Sequence, residues 1–133
     1  MKKLKASATI EASYIVPLIL MIVASVIYLT FYLHDKNIIT GAAYETAVAG
    51  GAKMRWEEEN MEQDLQKFYQ ERIEGKLIFF RRTTVEVTCE KEEITVTASA
   101  SKRRFHVNVI QKYRYTKPEE SLRKIRRIYG NAI

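Results

Sequence analysis

The chain has 133 residues, of which 47% are hydrophobic and 29% are charged, and its formal net charge at pH 7 is +6. This length allows one small folded domain and excludes a large multidomain enzyme. One cysteine, Cys89, and two histidines exclude an intramolecular disulfide framework and a Cys/His zinc cluster, so we expect no metal and no cofactor.

The hydrophobic residues are concentrated near the N-terminus, where residues 12–33 form a run of 22 positions without a charged side chain. As an α-helix this run is about 33 Å long, which matches a hydrocarbon core of roughly 30 Å. We therefore predict a transmembrane helix over residues 7–33 and a water-facing domain over residues 34–133.

The charges on either side of the apolar run predict its orientation. Lys2, Lys3 and Lys5 precede the run, whereas residues 34–52 beyond it carry a net charge of −1. The positive-inside rule then keeps the N-terminus in the cytoplasm and exports residues 34–133. A run this long, with no small-x-small site directly behind it, is not typical of a signal that is removed by signal peptidase.

Glu11 stands immediately before the apolar run and has two interpretations. It can be a hydrated carboxylate in the headgroup region. Alternatively, a cut between Ala6 and Ser7 would remove a basic leader, residues 1–6, and leave Glu11 one helical turn from the new amino group. In a bundle of parallel helices that carboxylate can neutralise the amino terminus of a neighbouring subunit, where screening is weak.

The residues from Ala6 to Leu18 resemble the N-terminus of TadE-like proteins, the pseudopilins of the tight-adherence pilus system. The shared pattern is a small residue at the cut, a short small or polar stretch, Glu11, an apolar stretch and Pro17 followed by Leu18. The resemblance implies cleavage by a prepilin peptidase between Ala6 and Ser7, with Ala6 where the family usually has glycine. It also implies assembly with other pilins or pseudopilins, in which Glu11 and Pro17 set the registry of the helices.

Helical character is predicted to continue beyond the apolar run, because residues 35–56 contain no proline and many small residues. Ala43, Ala47 and Gly51 recur at every fourth position and give the helix a flat side. This side can pack against a neighbouring subunit or against the domain's own sheet. The glycine pair at residues 50–51 is a candidate hinge or helix end.

Two further kinds of periodicity follow along the chain. Residues 57–74 carry apolar side chains at three- and four-residue spacing, which predicts a second helix that ends at Gly75. After Arg82 apolar and polar residues alternate in three runs, which predicts an antiparallel meander with one buried face. Its inward-facing residues are expected to be Val85, Val87 and Cys89, then Ile94, Val96, Ala98 and Ala100, then Phe105, Val107, Val109, Gln111, Tyr113 and Tyr115.

Positive charge is concentrated in the C-terminal part, since residues 81–133 have a charge balance of +7 and residues 34–80 a balance of −3. Such a polarised domain can attract a neighbouring pilin subunit, or it can bind DNA, anionic cell-wall polymer or lipid headgroups. The candidate basic surface consists of Lys102, Arg103 and Arg104 in a predicted turn, and of Arg123, Lys124, Arg126 and Arg127 on a short C-terminal amphipathic helix.

The sequence shows no nucleophile and base pattern, no phosphate-binding loop and no calcium loop, so we predict no catalytic residues and no enzyme.

The expected fold is α+β, with a long pilin-like transmembrane helix, a second helix, a three-stranded antiparallel sheet and the C-terminal helix. The expected function is a pseudopilin of the cell membrane that enters a surface pilus. The alternative is a membrane-anchored module that binds DNA or anionic cell-wall polymer. Nucleic acid is not the expected partner, because tyrosines at period two are more typical of a sheet face than of a base-stacking platform.

Overall fold

The computed structural model describes residues 2–54, 60–90, 92–115 and 118–130; for residues 2–8, 118 and 120 it describes the backbone alone. The predicted α+β fold is confirmed, with a long apolar first helix, a second helix, a three-stranded antiparallel sheet and a C-terminal helix. In chain order the elements are α1 (Lys2–Lys53), α2 (Met61–Ile73), β1 (Thr83–Cys89), β2 (Glu93–Lys102), β3 (Phe105–Arg114) and α3 (Pro118–Gly130).

The first element, α1, is a single helix of 52 residues and is about 78 Å long at 1.5 Å per residue. The prediction that it continues beyond the apolar run is confirmed. It remains helical through Pro17. Its two halves have different surroundings. Residues 9–31 are all exposed, whereas many side chains from Asp35 onward are buried. One helix therefore provides both the exposed apolar segment and the central element of the packed domain.

The second helix, α2, packs against the second half of α1 and against β1. Its buried residues, Leu65, Tyr69 and Ile73, are spaced by four and share one face, as the periodicity predicts. The backbone turns away after α2 at Gly75, whose φ of +70° is a conformation that glycine adopts without steric penalty. The predicted start of this helix, residues 57–59, lies outside the described residues.

The three strands form one antiparallel sheet in the order β1-β2-β3. Cα pairing of Val87 with Val96 and of Ala98 with Val109 places the predicted inward residues on one face. The central strand β2 is the most deeply packed: its inward residues, Ile94, Val96, Ala98 and Ala100, are at most 4% exposed. At the ends of this face Cys89 is half-buried and Phe105 is 46% exposed.

The flat side of α1 is buried inside the chain's own domain, and at Gly51 it lies against the sheet. Ala43 and Ala47 are at most 1% exposed, and Gly51 is buried as well. A methyl group on Gly51 would overlap the ring of Tyr113 in β3. The glycines at 50–51 thus lie inside the helix, which continues to Lys53, so the prediction of a helix end there is wrong. Both positions allow close contact between the helix and the sheet.

The last helix, α3, confirms the predicted C-terminal amphipathic helix, but its apolar face is uncovered. Among the described residues, α3 packs against no other element. The exposed fractions of its large apolar side chains lie between 51% and 70%, for Leu122, Ile125, Ile128 and Tyr129.

The close contact between α1 and β3 leads to a stability prediction. We expect Gly51→Ala to lower the free energy of unfolding by about 1–3 kcal/mol, because the added methyl group overpacks against Tyr113. Gly41→Ala is the matched control, since a methyl group there meets nothing within 4 Å and should raise helix stability by up to about 1 kcal/mol. Denaturant unfolding of the full chain in detergent micelles, followed by circular dichroism, measures both. Equal stabilisation by the two alanines would contradict the close packing at Gly51.

Candidate functional site

The exposed half of α1, residues 9–33, is an extended apolar surface. Apart from the half-buried Tyr32, its large apolar side chains are between 41% and 74% exposed. The window of this helix that is long and apolar enough to cross a membrane is 0% buried inside the protein. A core helix of a soluble protein would be mostly covered, so this half of α1 is compatible with a single-pass membrane anchor.

Two hydroxyl groups within the exposed half, those of Ser25 and Thr30, are satisfied by the helix itself. Ser25 Oγ donates to the carbonyl oxygen of Met21 at 2.7 Å, and Thr30 Oγ1 donates to that of Val26 at 2.8 Å. An apolar environment offers no water to hydrogen-bond such groups, so internal partners are what a membrane-spanning segment requires.

Glu11 and Pro17 both lie in this exposed half, and the Glu11 side chain is exposed. Pro17 follows Glu11 by six residues, or about 9 Å along the helix axis. Ser7 precedes Glu11 by four residues, or about 6 Å along the axis, so the helix geometry agrees with the one-turn spacing expected from the sequence. The side chains of Ala6 and Ser7 lie outside the described part of the chain, and cleavage between them stays a prediction.

The exposed half of α1 meets the packed domain at Asp35. Its side chain is 0% exposed, and its carboxylate accepts hydrogen bonds from the backbone N–H groups of Ile78, Phe79 and Phe80 at 2.9, 2.7 and 2.7 Å. His34 Nδ1 lies 3.2 Å from Asp35 Oδ1. One side chain thus fixes the segment between α2 and β1 to the middle of α1.

These partners keep Asp35 ionised although it is buried. Burial alone would raise the pKa of this carboxyl group, but the backbone N–H groups of Ile78 and Phe80, the contact with His34 and the N–H of Phe79 outweigh burial. The pKa of Asp35 therefore lies below its ordinary value of 3.8. In return, three backbone donors receive an acceptor, and those of Phe79 and Phe80 are buried where water cannot supply one.

Aromatic side chains from three parts of the chain gather beside Asp35. We call them the aromatic cluster: Tyr28 and Tyr32 from α1, Phe79 and Phe80 from the segment that Asp35 binds, and Phe105 from the start of β3. The ring centroids of Tyr28 and Phe79 are 5.2 Å apart and those of Phe79 and Phe105 are 5.5 Å apart, both edge to face. Such pairs add specific geometry to the burial of apolar area.

The structure divides the predicted basic residues into two groups. Lys102, Arg103 and Arg104 lie at the β2–β3 turn next to the aromatic cluster, where Lys102 Nζ is 4.3 Å from the centroid of the Phe79 ring. This is a cation–π distance. The second group is exposed on α3, which follows the opposite end of β3 along the chain, and consists of Arg123, Lys124, Arg126 and Arg127.

The titratable groups do not form a catalytic arrangement in the part of the chain that the structure describes. No group of three or more His, Cys, Asp or Glu side chains there could hold a metal ion. Cys89 is half-buried, and burial, followed by the nearby Glu62 carboxylate, raises the pKa of its thiol. A raised pKa disfavours the reactive thiolate.

Comparison with known proteins adds one finding. The family model described as TadE-like protein matches residues 6–48, about a third of the 133-residue chain. Residues 6–48 are TadE-like. The resemblance stated from the sequence is thereby confirmed over the segment that contains Glu11, Pro17 and Asp35, and also Ala43 and Ala47. The chain matches no curated protein and no solved structure.

The TadE-like segment associates the chain with the tight-adherence pilus and with a family of structural components. It covers both halves of α1, since it begins at the predicted cut and ends among the residues that pack against the sheet. The shared feature is therefore the helix that joins the apolar surface to the domain, and Asp35 lies at this junction.

Sequence reasoning missed two parts of the site, namely the hydrogen bonds of Asp35 and the aromatic cluster. One signal for Asp35 was present, because an aspartate in a helix directly after a long uncharged run needs partners if it is buried. Its partners lie 43 to 45 residues further along the chain. No local spacing encodes so distant a contact.

The buried carboxylate leads to a second stability prediction. We expect Asp35→Ala to lower the free energy of unfolding by about 3–5 kcal/mol, because three backbone N–H groups, of which those of Phe79 and Phe80 are buried, lose their acceptor. Asp35→Asn keeps one acceptor oxygen and should cost less. Asp64→Ala is the control, since Asp64 makes an exposed pair with Lys53 at 3.3 Å that is worth at most about 1 kcal/mol. A loss for Asp35→Ala no larger than for Asp64→Ala would contradict the role of this carboxylate.

The lowered pKa also predicts how stability depends on pH. Because the folded-state pKa of Asp35 is lowered, its contribution is complete above the ordinary value of 3.8 and is lost as the pH falls through the lower folded-state value. Unfolding midpoints measured from neutral to strongly acidic pH should therefore fall more steeply for the natural chain than for Asp35→Asn. Parallel curves for the two proteins would contradict this prediction.

Proposed function

We propose that the chain is a pseudopilin of a tight-adherence pilus system, stored in the cell membrane and used in assembly of a surface filament. The observation that carries the proposal is the division of α1 into an exposed apolar half and a half packed in a small domain. A subunit that moves from lipid into a filament needs such a helix, because the same apolar surface must be covered by lipid first and by neighbouring helices later. The TadE-like match over residues 6–48 supports this proposal.

In the membrane, the N-terminus lies in the cytoplasm and the domain lies outside. The cations at Lys2, Lys3 and Lys5 hold the leader on the cytoplasmic side. The prepilin peptidase then cleaves between Ala6 and Ser7, which removes these charges and creates a new α-ammonium group at the end of the apolar surface.

Glu11 directs assembly through this ammonium group. A carboxylate at the centre of a bilayer costs about 2.5–3.5 kcal/mol, so Glu11 is stabilised when it neutralises the amino terminus of a neighbouring helix in an apolar surrounding. Only one axial offset between two parallel helices brings these groups together, and the pair therefore sets registry. Pro17 lacks the N–H that would bond the carbonyl oxygen of Ser13, so the helix bends more easily close to this contact.

The mass of the N-terminus tests the processing step. In native cells that contain the prepilin peptidase we expect a chain that begins at Ser7, and in cells without the peptidase we expect the leader to remain. Ala6→Leu, with a side chain too large for a site that takes small residues, should keep the leader even when the peptidase is present. A leader retained in both kinds of cell would overturn the processing proposal.

Replacement of Glu11 tests the assembly step. Glu11→Ala should leave membrane insertion intact and lower filament production about tenfold or more, since a loss of about 1.4 kcal/mol per contact is a factor of ten. Glu45→Ala is the matched control, because Glu45 is an exposed carboxylate on the same helix that pairs with Arg72 at 3.1 Å. Immunoblots of sheared filaments and of membranes measure the two quantities. Unchanged filament production by Glu11→Ala would contradict the registry role.

A further inference from the structure

The geometry of α1 and β3 shows which end of the sheet faces the apolar half of the helix. Phe105, at the start of β3, contacts Tyr28 and Tyr32, whereas Tyr113 near the end of β3 meets Gly51. The rise between these contact points is about 26 Å along β3 and about 29–35 Å along α1. The two segments therefore run side by side in the same direction, and the β2–β3 turn lies at the end nearest the apolar run.

This end of the sheet lies level with one boundary of the predicted membrane span. A hydrocarbon core of roughly 30 Å holds about 20 helical residues, so a span that begins at Ala12 ends close to Phe31. Tyr28 and Tyr32 stand on either side of that level, and Phe105 packs against both. Tyrosine is enriched where hydrocarbon meets headgroups, because its ring is apolar and its hydroxyl is polar.

Cations surround the same end of the sheet. Arg81 and Arg82 precede β1, whose first residue, Thr83, pairs with Ala100 near the end of β2. Asp35, an acidic residue of α1 near this level, is buried and its carboxylate is occupied by backbone N–H groups. We call the five cations the basic tip: Arg81, Arg82, Lys102, Arg103 and Arg104.

Two features at this end of the domain are unusual for a surface that faces only water. Phe105 is 46% exposed and Ile78 is 56% exposed, so large apolar groups stand beside the cations. Arg103 has a φ of 54°, a left-handed conformation that glycine adopts more readily than arginine. A two-residue hairpin turn favours this backbone conformation, since Lys102 pairs with Phe105, but placing arginine there instead of glycine adds a positive charge at a cost in backbone energy.

We infer that the basic tip lies in the headgroup layer of the outer leaflet and binds the phosphate groups of anionic phospholipids. Phe105 and Ile78 then enter the upper part of the acyl layer. The inference rests on the proposed residence of α1 in the membrane and adds a second attachment point for the domain. With two attachments, the domain is held at a fixed tilt on the bilayer until the subunit enters a filament.

The apolar surface next to the basic tip favours a phospholipid over a polyanion such as DNA or a cell-wall polymer. An open groove of about 650 Å³ runs from Phe105 down α1, and its apolar lining includes Met21, Ala24 and Leu29. A cationic rim above an apolar groove matches a phospholipid, with its phosphate at the rim and its acyl chain beneath. DNA or a wall polymer would pair with the cations but would leave the groove and the exposed aromatic ring in water.

A fluorescent label at either end of the sheet tests this inference. The full chain, with Cys89 replaced by alanine, is labelled at Ser101→Cys near the tip or at Thr88→Cys near the opposite end. Both positions are exposed. The proteins are placed in vesicles of phosphatidylglycerol mixed with phosphatidylcholine that contain a headgroup-level nitroxide quencher. We expect several-fold stronger quenching at Ser101→Cys than at Thr88→Cys, and weaker quenching at Ser101→Cys in vesicles of phosphatidylcholine alone.

Matched charge removals test the contribution of the tip. Arg103→Gly combined with Arg104→Ser should reduce quenching at Ser101→Cys, although the glycine relieves strain and should not lower the unfolding temperature. Arg123→Gln combined with Arg126→Gln removes the same charge from α3 and should leave quenching unchanged. Equal effects of the two pairs would overturn a specific role of the tip in favour of general charge attraction.

Flotation of the vesicles separates this inference from the proposed function. If the chain floats with the vesicles but both labels remain equally accessible to water, the tip inference is overturned and the membrane anchor stands. If the chain does not float, both are overturned. A label at Ser101→Cys that responds to duplex DNA and not to the quencher would overturn the lipid assignment in favour of a polyanion site.

Discussion

The buried carboxylate of Asp35 connects the two parts of this protein. Its three backbone hydrogen bonds, from Ile78, Phe79 and Phe80, hold the segment before β1 against α1 at the place where the helix changes from an exposed to a buried environment. An unpaired charge in that place would be costly, and three unpaired N–H groups would be costly as well, so each needs the other. This mutual requirement positions Phe79 and Phe80 in the aromatic cluster and sets where β1 begins.

The second half of α1 acts as the central element of the domain because its side chains are small where it approaches the sheet. Gly51 allows the ring of Tyr113 to lie against the helix backbone, and Ala43 and Ala47 are fully covered. The domain is therefore joined rigidly to the same helix whose first half we propose to lie in lipid. A displacement or rotation of that helix during assembly is transmitted to the sheet without an intervening flexible linker.

The parts of the fold that the sequence predicted correctly are those encoded by local periodicity. The alternation around Val87, Val96 and Val107 identified the buried face of the sheet. The three- and four-residue spacing predicted an apolar face on α2 with either Phe68 or Tyr69, and the structure buries Tyr69 together with Leu65 and Ile73. The resemblance of the first residues to TadE-like proteins was also predicted from a local motif. The contacts of Asp35 could not be predicted, because they join residues more than forty positions apart. The small face of α1 remained ambiguous, since only the position of Tyr113 shows what it packs against.

Three residues whose exposure or backbone conformation differs from what their local sequence predicts lie at the same end of the domain. Phe105 continues the inward pattern of β3 but is nearly half exposed, because the sheet there reaches past the core to the exposed half of α1. Ile78 is exposed although it lies between Leu77 and Phe79, which are more deeply packed, and Arg103 occupies a backbone conformation suited to glycine. Each departure alone would be a minor cost to folding. Their occurrence at one level of α1, beside Tyr28 and Tyr32, is what the proposed contact of this end of the domain with the headgroup layer would require.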